Sequence, residues 1–196
     1  FQEAIARDPG RADQWKRELA DQLVFSGQPE RGIPIFREIL ASGRLSPDDT
    51  HRARLGLALA LSWNDDLDAS LGEYDALLAA NPGDTEARLG RARVLSWQDR
   101  LGPSKSAYED VLAKDAGNAE ARRGLARTQS WRGMQLDAQD RLDGILGESP
   151  DDGEAAFLLA QSQDWLGRPD HAEKTLRAHL AKHPDDPRAK ALLDDL

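Results

Sequence analysis

Ala92–Arg93–Val94–Leu95–Ser96–Trp97–Gln98–Asp99–Arg100 is answered 34 residues later by Ala126–Arg127–Thr128–Gln129–Ser130–Trp131–Arg132–Gly133. Each stretch closes a helix-forming run on tryptophan and then breaks into polar residues. The beat continues outward. Trp63, Trp97, Trp131 and Trp165 are each 34 residues from the next. Ala58, Ala92, Ala126 and Ala160 keep the same step, as do Leu78, Leu112, Leu146 and Leu180. Pro82, Pro150 and Pro184 lie on it too, with Ala116 in the vacant slot. A fixed period of this length marks a helix–turn–helix repeat array. The expected fold is all-α, an α-solenoid of antiparallel helix pairs in which each repeat buries its apolar face on its neighbours.

Composition agrees. Ala, Leu, Arg, Asp and Glu dominate the 196 residues, and β-branched residues are scarce, which favours helix over strand. The net charge of −9 argues against a nucleic-acid partner, because neutralising phosphates takes clustered Lys and Arg. There is no cysteine, so disulfides and thiolate metal sites are excluded. Absence of cysteine is compatible with an oxidising compartment. No apolar run approaches the ~20 residues that span a bilayer, and no membrane insertion is expected in this segment.

The lattice divides the chain into residues 13–50, 51–84, 85–118, 119–152 and 153–186, one repeat each. Residues 1–12, with Phe1, Ala4, Ile5 and Pro9, read as the tail of a preceding second helix. Residues 187–196 read as the first helix of a following repeat or a cap. The step from Ala20 to Ala58 is 38, so the repeat at 13–50 carries about four extra residues, placed in Ser42–Asp49. In the central repeat the first helix is expected over Glu86–Trp97 and the second over Pro103–Lys114. The break falls at Gln98–Asp99–Arg100. Pro103 is tolerated in a first turn, where its missing amide would be unpaired anyway.

The pattern of Ala58, Leu67, Ser70, Tyr74, Leu77, Leu78 and Pro82, repeated in the flanking units, resembles the tetratricopeptide repeat (TPR) family over nearly the whole chain. The resemblance implies a right-handed superhelix whose concave wall is built mainly from first helices. The chain departs from the family in three ways. Arg54, Arg88 and Arg122 stand where an early aromatic is usual. Gly56, Gly90 and Gly124 occupy the first-helix interior, each costing about 0.5–1 kcal/mol relative to Ala. Tryptophan closes the first helix.

If the concave wall carries over, helical spacing of three, four and seven residues puts Leu89, Arg93 and Trp97 on one row. Arg123, Arg127 and Trp131 form the next, flanked by Leu55, Leu59, Trp63 and by Phe157, Gln161, Trp165. Arg93, Trp97, Arg123, Arg127 and Trp131 are therefore the candidate binding residues. Arg offers a planar fork for carboxylates, and Trp a rigid plane suited to sugar rings or apolar side chains. A plainer reading stands beside this one. Each Trp could wedge between first helices, burying ~150–250 Å², or roughly 4–6 kcal/mol at ~25 cal/mol per Å². The arginines could simply pair with nearby Glu and Asp.

No chemistry is legible. The doublets Asp48–Asp49, Asp151–Asp152 and Asp185–Asp186 precede helices and read as caps, not as catalytic carboxylates. His179 and His183 have metal-pair spacing but no third ligand, so a solvated pair at a helix end is expected. No phosphate loop and no nucleophile–base arrangement is present. No catalytic residue, metal or cofactor is expected, and the chain reads as non-enzymatic.

The segments Leu61–Ser62–Trp63, Leu95–Ser96–Trp97–Gln98–Asp99–Arg100 and Gln129–Ser130–Trp131–Arg132–Gly133, joined by Asn81–Pro82–Gly83–Asp84-type turns, are similar to a narrower group. These are the bacterial TPR regions that precede an outer-membrane β-barrel in cellulose and Pel exopolysaccharide export. That resemblance implies a periplasmic scaffold, part of a longer outer-membrane protein, that docks a polymer-modifying enzyme and helps guide the polymer to the pore. Protein is the implied partner and polysaccharide a second one. The alternative is a peptide-binding adaptor, cytoplasmic or periplasmic, unrelated to export.

Overall fold

The structure, a computed structural model, describes residues 11–196. The second-helix tail expected from Phe1, Ala4, Ile5 and Pro9 lies outside them. Among the described residues there are eleven helices and no strand. In order they are α1 (Ala12–Phe25), α2 (Pro29–Ser42), α3 (Pro47–Trp63), α4 (Leu67–Ala80), α5 (Thr85–Trp97), α6 (Leu101–Leu112), α7 (Ala119–Trp131), α8 (Gln135–Glu148), α9 (Gly153–Trp165), α10 (Pro169–Leu180) and α11 (Pro187–Asp195). The chain forms two compact units that divide between Gln98 and Asp99. The first unit holds α1–α5 and the second α6–α11.

Local chemistry sets the helix ends. The side chains of Asp84, Asn118, Asp152 and Asp186 accept the backbone amides of Ala87, Ala121, Ala155 and Ala189, each satisfying an otherwise orphaned donor. Two of these caps belong to the acidic doublets, which are therefore structural. At the third doublet the cap is Ser46, which accepts from the Asp49 amide while Asp48 and Asp49 sit in the first turn, complementing the helix dipole. Every first helix from α1 to α9 is followed, two positions past its last residue, by a left-handed one: Gly27 (φ 78°), Asp65 (64°), Asp99 (59°), Gly133 (78°) and Gly167 (69°). The next amide can then reach back into the helix, as in Asp66 N to Leu61 O and Met134 N to Gln129 O, both 2.9 Å. This hydrogen-bonded hook stops the helix.

The four extra residues of the first repeat, expected within Ser42–Asp49, fall at the start of α3 from Pro47 onward and do not lengthen the loop. The turn Gly43–Ser46 is as short as Asn81–Asp84, and α3 instead has 17 residues against 13 in α5, α7 and α9. An insertion of four is close to one helical turn, so it extends the helix without rotating its buried face. In α6 the helix starts at Leu101, two residues before Pro103, and ends at Leu112. The proline is still within the first turn, where no intrahelical partner exists for its amide.

In each unit successive helices pack antiparallel, and first helices also touch the next first helix: α1 with α3, α3 with α5, α7 with α9, α9 with α11. Among the described residues no two second helices of a unit touch. The first-helix layer is thus the closely packed one. Phe36, Ile39, Leu57 and Leu61 anchor the core at one end of the first unit, and Tyr74, Leu77, Val94 and Leu95 continue it. In the second unit Leu142, Ile145, Leu158 and Leu159 pack around Ala126, and Leu176 packs around Ala160 and Ala172. Small residues mark the closest pairings. Ser70 and Ala58 are fully buried, and the Ser70 hydroxyl donates to the Ala58 carbonyl at 2.7 Å.

The helix-interior glycines have a spatial cause. A Cβ on Gly56 would lie 2.6 Å from the Phe36 ring, and one on Gly90 or Gly124 only 2.3 Å from Cζ of Tyr74 or Tyr108. Each glycine is the socket for an aromatic ring from the preceding second helix. The lost helix propensity of ~1 kcal/mol is offset by a buried ring that contributes more than that.

Candidate interaction surface

The tryptophan positions are the last residues of first helices, and their rings are not swallowed by packing. Trp63 is 45% exposed, Trp97 39%, Trp131 38% and Trp165 48%. The fully buried wedge is therefore not what the chain builds. Each indole packs with roughly half its surface and presents the rest to solvent. Steric access explains this: the residue sits at the helix terminus, where the next element turns away through the left-handed hook. Buried first-helix positions are taken instead by Leu57, Leu61, Leu95 and Leu125.

In the first unit Trp63 has an aromatic neighbour that the 34-residue lattice hides. Phe25 ends α1 as Trp63 ends α3, and their rings meet edge to face at 5.9 Å and 81°. Phe25 is 69% exposed. It lies 38 residues before Trp63, the same offset as Ala20 to Ala58, so a register corrected for the extra turn would have found it. Of the candidate residues in this unit, Arg93 places its guanidinium 5.9 Å from the Trp97 ring centroid, a cation–π contact. Leu89 on the same row is buried, and Leu55 and Leu59 are partly buried. That row is half core.

In the second unit Arg123 and Arg127 share one face of α7 and reach the start of α9. Arg123 Nη1 donates to Asp152 Oδ2 at 2.6 Å, while Asp152 also caps α9, and Arg127 pairs with Glu154. These two arginines hold neighbouring repeats together. Trp131 stands at the end of the same helix. Phe157 on the following row is covered by Arg188, 5.3 Å from its centroid. The family's aromatic position is likewise converted to ion pairing: Arg54 donates to Glu73 at 2.8 Å and Arg122 to Glu148. Those pairs replace aromatic burial by contacts that are individually weak at a partly exposed surface.

His179 corrects another expectation. It is buried, not solvated, and occupies the lattice position of Leu77, Val111 and Ile145. Its ring fits against Gly153, where a Cβ would stand 2.7 Å from Cε1. Its Nε2 is 2.9 Å from Asp186 Oδ2, and it stacks on His183 at 4.8 Å. The pair is structural. Among the described residues no three His, Cys, Asp or Glu side chains are grouped to hold a metal ion, and no helix is long and apolar enough to cross a membrane.

Comparison with known proteins settles the fold. Residues 136–196 match the tetratricopeptide repeat family. A TPR protein from Parabacteroides merdae superposes with a TM-score of 0.82 at 15% identity, covering 97% of this chain and 74% of its own. A thermophilic TPR protein from Thermus thermophilus gives 0.79 at 19% identity, covering 94% and 98%. The fold is that of the tetratricopeptide repeat. YrrB, a TPR protein with an unusual peptide-binding site, superposes at 0.62 with 15% identity, covering 100% of this chain and 98% of its own. No match is found among curated protein sequences.

Proposed function

We propose that this TPR chain is a non-catalytic scaffold that binds protein through its first-helix layer. The observation that carries the reading is the set of solvent-facing aromatic rings, one at the end of each first helix from α1 to α9. Aromatic surface left in water at every repeat, on rigid elements, is the composition of a binding surface. The finer reading is a periplasmic segment of an outer-membrane exopolysaccharide exporter. In it the scaffold docks a polymer-modifying enzyme and helps guide the polymer to the pore, with polysaccharide itself as a second partner. It rests on the Leu–Ser–Trp and Gln–Ser–Trp segments and their turns. Arg93, Trp97, Arg123, Arg127 and Trp131 are its proposed contact residues. Because Arg123 and Arg127 already pair with Asp152 and Glu154, the tryptophans lead this set.

A second reading, a peptide-binding adaptor unrelated to export, is favoured by the structural likeness to YrrB. Affinity capture from the cell-envelope extract of the source bacterium, with this chain as bait and mass spectrometry as readout, separates the two. Enrichment of a periplasmic polysaccharide-modifying enzyme is the expected result. Capture of cytosolic clients alone discards the export reading and keeps the adaptor.

A further inference from the structure

One of these aromatic positions differs chemically from the rest. Behind Trp63 the chain runs Asn64–Asp65–Asp66–Leu67–Asp68, with three carboxylates and no basic residue. The equivalent turns read Ser26–Gly27–Gln28 after Phe25, Gln98–Asp99–Arg100 after Trp97, Arg132–Gly133–Met134 after Trp131 and Leu166–Gly167–Arg168 after Trp165, with at most one carboxylate each. Asp65 holds the left-handed position that Asp99 also occupies after Trp97 and that Gly27, Gly133 and Gly167 fill elsewhere. Asp is one of the few non-glycine residues that adopts this conformation, because its short polar side chain bonds locally. Asp65 and Asp66 are both exposed. Asp66 accepts the Asn64 side-chain amide at 2.8 Å, which fixes its carboxylate in the turn. The carbonyl end of α3 adds the negative pole of its dipole at the same place.

Beside these charges stands the Phe25–Trp63 corner, two exposed rings at 81°. The rings offer π faces at right angles, and π faces attract cations. One α-helical turn before Phe25, Asp21 pairs with Arg17 at 2.7 Å, so the basic group on that side is already engaged. Aromatic faces, carboxylates and a helix C-terminus together select positive charge and planarity, the properties of a guanidinium.

We propose that the Phe25–Trp63 corner, with Asp65 and Asp66, is the docking point for a basic segment of a partner protein. One arginine stacks in the corner, and a neighbouring basic residue meets the two carboxylates. This rests on the reading of the chain as a protein-binding scaffold, and it names the chemistry of the partner at one repeat.

The test is calorimetric titration of the full chain with a capped, flexible Gly/Ser peptide containing two arginines. The comparison peptide has citrulline at both positions, an isostere without the charge. The arginine peptide is expected to bind at least about tenfold tighter, with affinity falling as salt rises. Trp63→Ala and the double change Asp65→Asn, Asp66→Asn each weaken it by about tenfold. Trp63→Phe keeps most of the binding, and Leu136→Ser, at an exposed position on α8, leaves it unchanged. Equal affinity for the citrulline peptide overturns the proposal, as does no binding or an inert aspartate pair. Should Trp63→Ala disturb α3, seen by circular dichroism, the aspartate pair in its exposed turn decides alone. A chain that ignores the peptide yet captures envelope proteins loses the docking point and keeps the scaffold. One that binds the peptide and captures nothing loses the export role instead.

Discussion

Gly90 shows how a residue that looks like a helix weakness is a packing requirement. On an exposed helix, Gly→Ala gains about 1 kcal/mol from propensity. Here the added methyl would stand 2.3 Å from the Tyr74 ring carbon and 2.5 Å from its hydroxyl, and Tyr74 is fixed in the core between α4 and α5. Gly90→Ala is therefore expected to lower stability by about 1–3 kcal/mol, the usual cost of overpacking. Chemical denaturation measures it, and combining it with Tyr74→Leu, which vacates the socket, should recover most of the loss. An increase in stability on Gly90→Ala alone would mean that the ring moves freely. The recurrence of Gly56, Gly90 and Gly124 was legible in the sequence. Its reason was not, because the ring that fills each socket comes from the preceding repeat, 16 to 20 residues upstream.

At the scale of the element, the last two helices of the second unit are joined by one carboxylate. Asp186 caps α11 through Oδ1 and meets His179 of α10 through Oδ2. The hydrogen bond with His179, followed by the amides of Ala189 and Arg188, holds its carboxyl below the ordinary range. A carboxyl whose folded pKa is depressed contributes stability that is present above its unfolded value, ~3.9. That contribution is lost as pH falls through the folded value. Asp13, hydrogen-bonded to Arg44, and Asp49, hydrogen-bonded to Ser46, act in the same direction. Burial pushes Asp21 and Asp143 the opposite way. Asp186→Asn keeps a capping oxygen but removes the charge opposite His179. Its melting temperature should lie below that of the unchanged chain at pH 7, and the gap should begin to narrow as pH falls past the unfolded value and close only below the lower folded one. A gap that stays the same size as pH falls would assign the effect to shape instead of charge. The caps on Asp152 and Asp186 could be read from the sequence, since an acidic residue before a helix-forming run needs no tertiary context. The burial of His179 could not, because only the lattice position shared with Leu77, Val111 and Ile145, together with Gly153 opposite, reveals it.

For the molecule as a whole, the period decided the fold and obscured part of the surface. Four tryptophans in strict step implied stacked helix pairs before any packing was known, since only a repeated unit keeps such a step. The same strictness hid Phe25, displaced by the extra turn of α3, and with it the aromatic corner. Exposure of the indoles was also beyond the sequence: a helix-terminal Trp has the same spacing whether it wedges between helices or faces water. What repetition implies energetically can be tested directly. If stability is a sum of repeat terms and nearest-neighbour terms, no part of the first unit depends on α9–α11. A chain ending at Glu148 removes those helices and uncovers Leu142 and Ile145, which pack against Leu158 and Leu159. The remaining helices should keep their helical circular dichroism per residue. They should still unfold cooperatively in urea, at a lower midpoint and with a shallower slope, because less surface is exposed on unfolding. Loss of helix throughout the shortened chain would show instead that its stability is indivisible, and the repeat-by-repeat account would fail.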